Sequence, residues 1–167
     1  MKGTNLRRLR VTALSMVALL VAQFVAGIVA NLYVKIPATI PGTKARKPDI
    51  GWALAHGPAD LRIHVSLALL LVAAALVMAG LGIATRRAAW SIPTVTGLLM
   101  ILWAFAGGLG FLGDSTDNGS SLQMALGFMG AFLSYGTGFY IARTSNASGA
   151  DRLQAASQVT SARAPRP

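Results

Sequence analysis

The sequence predicts an all-α membrane protein: an antiparallel up-down bundle of four transmembrane helices with both termini in the cytoplasm. Three observations carry that expectation. Apolar runs occupy residues 11–34, 61–85, 88–112 and 121–142, and about 20 helical residues suffice to cross the ~30 Å hydrocarbon layer. The composition is 54% hydrophobic with a mean hydropathy of +0.57, which suits a bundle whose outer face meets lipid. Basic residues gather at the ends of the runs instead of forming a patch.

The first run follows Lys2, Arg7, Arg8 and Arg10. A cleaved signal peptide has an apolar core of about 7 to 15 residues, so this longer run, with a poor cleavage site at Ile28-Val29-Ala30, reads as an uncleaved first span. Residues 35–60 form the longest connection and hold Pro37, Pro41, Pro48 and Pro58, which favour extended and turn backbone. Within it Asp49 is placed to cap a short helix reaching Ala55, with Ile50, Trp52 and Leu54 free to lie at the headgroup layer or to lid the bundle. The second and third runs are joined by a turn carrying Arg86 and Arg87. The third and fourth are joined by residues 113–120, which contain Asp114 and Asp117 and no Lys or Arg.

Lys and Arg near the span ends set orientation. The N-terminal cluster, Arg86, Arg87, Arg143, Arg152, Arg163 and Arg166 outweigh Lys35, Lys44, Arg46, Lys47 and Arg62, so both termini are expected inside. Residues 1–144 then form one transmembrane domain of the inner or plasma membrane. Residues 145–167, rich in Ser, Ala, Arg and Gln, are expected to be a disordered cytoplasmic tail. Helices associate in lipid through small residues. Gly127 with Ala131, Gly130 with Ser134 and Ser134 with Gly138 in the fourth run, and Ala104 with Gly108 and Ala106 with Gly110 in the third, predict that these two pack closely.

Composition also bounds the chemistry. With no Cys, thiolate catalysis, Cys-based zinc sites and Fe–S clusters are excluded. There is no Glu and no Asp deep in a run, which disfavours carboxylate-driven transport. The net charge of +10 is accounted for by topology, so no nucleic-acid partner is expected. Asn118-Gly119-Ser120 fits a glycosylation acceptor only in a secretory eukaryotic setting. No Ser lies in a recognisable nucleophile motif, and the reading leans away from an enzyme.

With antiparallel spans, Gln23, Asn31, Arg62, His64 and Gln123 share the outer leaflet as a polar cluster. His64 is the ionisable side chain set inside a run rather than at its edge, and such a group is a functional hypothesis by default. It suits a haem or metal ligand, or else a structural hydrogen bond to Gln23, Asn31 or Gln123 that knits helices together. His56, Asp60 and His64 follow at four-residue spacing, but Pro58 interrupts the helix they would need, so no metal site is expected.

Gln23 followed by Gly27, the long Pro-rich loop and a second span opening on His64 resemble one four-helix half of haem A synthase. That resemblance implies His64 as an axial ligand of haem b, with Gln123 where the second histidine would stand. The family's loop Glu and loop cysteines are absent, which removes the synthase activity. The chain also resembles small four-span bacterial membrane proteins through Asn31-Leu32-Tyr33-Val34 and His64, a likeness that implies fold and location alone. The expected role is non-enzymatic: binding, or acting as a subunit or assembly partner, with a membrane-protein partner or a homo-oligomer. The alternatives are a haem-handling protein using His64, and a small-molecule transporter or channel.

Overall fold

The computed structural model describes residues 3–43, 46–113 and 118–162, with side chains over 11–43, 46–113 and 118–140. Lys2, Lys44, Asp114, Asp117, Arg163 and Arg166, used above to orient the chain, lie outside the described residues. Among the described residues all regular structure is helical: α1 Gly3–Tyr33, α2 Ile50–Ala55, α3 Ala59–Ala84, α4 Ala88–Gly113 and α5 Asn118–Ala162. Three segments are long and apolar enough to cross a membrane: Val11–Tyr33 of α1 with 23 residues, and α3 and α4 with 26 each.

The fourth apolar run opens α5, but that helix continues to Ala162. It thus includes residues 145–162, the segment for which a tail is expected. A helix already nucleated in the preceding run extends cheaply through Ala, Arg, Leu and Gln, which are good helix formers, and Pro165 lies beyond the helix end.

α4 and α5 pack antiparallel along their length. A Cβ on Gly107 would meet the Gln123 side chain at 3.1 Å, one on Gly127 the Ala104 Cβ at 2.7 Å, one on Gly130 the Met100 Sδ at 2.7 Å and one on Gly97 the Tyr135 ring at 2.6 Å. The small residues thus let two backbones approach as the four-residue spacings predict. At the other seam, Gly82 of α3 lies against the Thr94 side chain of α4. The turn joining them is only Thr85 to Arg87, with Arg86 in the left-handed region at φ 53°. Its amide donates to the Ile83 carbonyl at 2.9 Å, closing the end of α3.

Two cores result. One joins four helices through Met16 and Leu20 of α1, Ala75 and Met78 of α3, Ile101 of α4, and Ala131 and Tyr135 of α5. The other joins Ala53 of α2 to Leu61, Val65 and Leu112, so α2 roofs the ends of α3 and α4. Asp49 caps α2 by accepting the Trp52 amide at 2.8 Å, and Arg46 donates to the other carboxylate oxygen at 2.6 Å. The amide and then the guanidinium hold the exposed Asp49 carboxyl below its ordinary range. Between Ala53 and Leu54, which face the bundle, and the Pro58 start of α3, Gly57 passes so close to the Ala53 carbonyl that no side chain would fit. The lid alternative for this segment is the one the packing supports.

Candidate functional site

A cavity of about 310 Å³ opens under α2, between α1, α3, α4 and the start of α5. Its apolar walls include Leu20, Phe24, Ile28, Val65, Ile101, Phe105, Leu112 and Phe128. Gln23, Asn31, His64 and Ser121 supply its polar lining, and no Asp, Glu, Lys or Arg is among its lining residues. The volume falls at the small end of the range for ligand pockets, roughly 300–1,000 Å³.

His64 reaches this cavity from the second turn of α3 and lies across α1. Its ring packs over Gly27, where a Cβ would come within 3.0 Å of Cε1. One helical turn earlier, the Gln23 Nε2 lies 3.2 Å from His64 Nδ1 and donates to it when that nitrogen is unprotonated. The Gln23–Gly27 pair at i, i+4 is thus a shaped seat: the glycine leaves room for the imidazole and the amide fixes its rotation. Gln23 Oε1 is buried with no hydrogen-bond partner.

Of the five polar residues expected to cluster, three come together and two do not. Gln23, His64 and Asn31 line one cavity. Gln123 turns the other way, its Nε2 donating to the Trp103 carbonyl at 2.8 Å, and it does not line the cavity. Arg62 is exposed on the far face of α3, beside Leu54 and Ser66. His56 caps the end of α2 while Asp60 and His64 belong to α3, so the three do not share a helix. Among the described residues no group of three His, Asp or Glu side chains converges.

The fit to haem b can be tested on these positions. His64 is in place, but the residue standing where the resemblance puts a second ligand is engaged with the α4 backbone, so the His64 and Gln123 pair does not converge on one group.

Sequence reasoning missed the aromatic wall. Phe24 of α1 and Phe128 of α5 stack with ring centroids 4.7 Å apart and planes at 19°. Phe24 lines the cavity and is 45% exposed, so the stacked pair stands at the cavity's edge. Each residue sits next to a singled-out position or in a marked run, and an up-down bundle sets the first and fourth helices side by side, but the rotations that bring these two rings together are not written in either run. Comparison with protein-family models, with curated proteins and with solved structures gives no match.

Proposed function

We propose that this chain is a four-span, up-down integral membrane protein of the inner or plasma membrane, with both termini in the cytoplasm and a binding rather than a catalytic role. It holds a small lipid-soluble molecule inside its own bundle, beneath α2. The carrying observation is the roofed apolar cavity with the His64–Gln23 pair set into its wall.

The fourth span is supported by α5 itself. Leu122, Leu126, Met129, Leu133 and Tyr140 form an exposed stripe at helical spacing. Two of its polar side chains are paired with backbone: Ser134 Oγ donates to the Gly130 carbonyl at 2.7 Å and Gln123 to that of Trp103. Internal pairing of this kind is what a helix in hydrocarbon requires.

Because the chain has no Cys, single cysteines test the topology cleanly. In intact cells a membrane-impermeant maleimide is expected to label Thr43→Cys, and to label Arg87→Cys only after lysis; the opposite pattern reverses the orientation. For the cavity, decane is expected to bind the purified protein in maltoside micelles and to lose that binding in Ala68→Phe, which fills the space. Equal behaviour of the two proteins would remove the binding role.

A haem-handling role is the second reading, favoured by the place of His64 in the cavity wall. It predicts a Soret band in protein from haem-replete cells that disappears in His64→Ala. A colourless preparation ends it.

A further inference from the structure

Arg62 and Ser66 stand one helical turn apart on the outer face of α3, in a shallow depression completed by Leu54 of α2 with Ala59, Ile63 and Leu67 of α3. Both are exposed. Among the described residues the Arg62 guanidinium has no ion-pair or hydrogen-bond partner, and no carboxylate lines the depression. The Ser66 hydroxyl is open in the same way. Ser15, Ser91 and Ser134 each donate to the carbonyl four residues earlier in the chain, whereas Ser66 makes no such bond among the described residues.

Beyond these two groups the same face of the helix turns wholly apolar. Leu70, Ala73 and Val77 are exposed along it, and Gly80 has open space where a side chain would stand. α3 is long and apolar enough to cross a membrane, so this seam runs from a charge to a hydroxyl about 6 Å deeper and then to hydrocarbon. A glycerophospholipid presents its phosphate, its ester carbonyls and its acyl chains in that order. An arginine that merely reaches for the interface needs only its own stem; it does not need an open hydroxyl one turn below or a depression beside it.

We infer that this face of α3 docks one phospholipid of the surrounding membrane, of the class whose headgroup carries no charge besides its phosphodiester. The planar guanidinium of Arg62 donates to two phosphate oxygens, the Ser66 hydroxyl donates to an ester carbonyl, and one acyl chain lies along Leu70 and Val77. The ammonium of a zwitterionic headgroup competes with Arg62 for the same phosphate and finds no carboxylate in the depression, which sets the preference. The inference needs α3 to span the bilayer. It depends neither on the cavity beneath α2 nor on the direction in which the bundle faces.

The test is native mass spectrometry of the purified full-length chain in maltoside micelles doped with dioleoyl phosphatidylglycerol or dioleoyl phosphatidylethanolamine, which share chains and esters and differ in net charge. The first phosphatidylglycerol is expected to bind on the order of tenfold tighter than the first phosphatidylethanolamine, the scale of one hydrogen bond to a charged group. In Arg62→Gln that preference is expected to fall to near unity while phosphatidylethanolamine still binds, which shows that the variant is folded. In Arg87→Gln, which removes an equal charge beyond the far end of α3, the preference is expected to persist. Ser66→Ala is expected to weaken both lipids about threefold and to leave their ratio unchanged. Equal binding of the two lipids by the wild-type chain, a preference that survives Arg62→Gln, or equal losses in Arg62→Gln and Arg87→Gln overturns the inference. Competition by glycerophosphoglycerol, the same headgroup without chains, at concentrations comparable to the lipid assigns the site to a free phosphodiester and overturns it as well.

Discussion

The two ends of the helix bundle are packed by different rules. At the end near the α3–α4 turn, Met16, Met78 and Tyr135 are each under 2% exposed, and glycines at 82 and 97 admit direct contact with Thr94 and Tyr135. At the α2 end α4 and α5 still touch closely at Gly107 and Gly127, but Gly108, whose nearest neighbour would be Met124 Sδ at an ordinary 3.6 Å, borders the space enclosed with α1 and α3. Close contact gives association energy in lipid, where apolar burial does not. The contrast therefore separates a half that holds the helices together from a half that is free to hold something else.

The most severe way to break this comparison is to overfill both halves. Gly97→Leu forces a side chain onto the Tyr135 ring, 2.6 Å from the added Cβ, and is expected to cost about 3 kcal/mol. Gly108→Leu points into the cavity end and is expected to cost under about 1 kcal/mol. Unfolding of both variants in mixed maltoside and dodecyl sulfate measures the difference; equal losses would mean that the two ends are packed alike.

A smaller effect sharpens the description of the tight half. The Tyr135 hydroxyl is buried with no hydrogen-bond partner, so Tyr135→Phe removes an unsatisfied group while keeping the ring against Gly97. The variant is expected to be as stable as the parent or about 1 kcal/mol more so. A clear loss in the same unfolding assay would show that the hydroxyl has a partner.

The smallest effect is local to the roof. Asp49 has a folded pKa below the ordinary carboxylate value, so its contribution to α2 is complete above that ordinary value, about 3.9. It is lost as pH falls through the lower folded value. Trp52 fluorescence is expected to be flat from neutral pH down to the carboxylate range and to change only below it. Asp49→Asn, whose side chain also caps but carries no charge, should remove the transition, and a transition that persists would place its origin elsewhere.

Much of this was legible before any coordinates. The runs at 11–34, 61–85 and 88–112 announce their helices because hydropathy over that length has few other outcomes. Asp49 announces α2 because a capping side chain is a local device. The small residues of α4 and α5 predict their contact because their spacing is a property of one helix surface. Gln123 shows where legibility ends: a residue's depth follows from the sequence, but which neighbour it faces depends on the helix's rotation, set by packing elsewhere. Depth alone put Gln123 with His64, and rotation put it against Trp103. The same limit hid the Phe24–Phe128 stack: an up-down bundle makes the first and fourth runs neighbours, but their rotations decide which side chains meet. His64 was identifiable, and its partner was one of three amides until the Gly27 seat selected Gln23.

The short α3–α4 turn has a mechanical consequence. Thr85 and Ser91 both donate to the Gly82 carbonyl, at 2.7 and 3.1 Å, so the two helices are riveted where they meet. Their far ends, at Ala59 and Gly113, are held together only by side-chain contact through Leu61, Leu112 and the α2 roof. The pair is built like tweezers with a fixed fulcrum, and the cavity lies toward the tips.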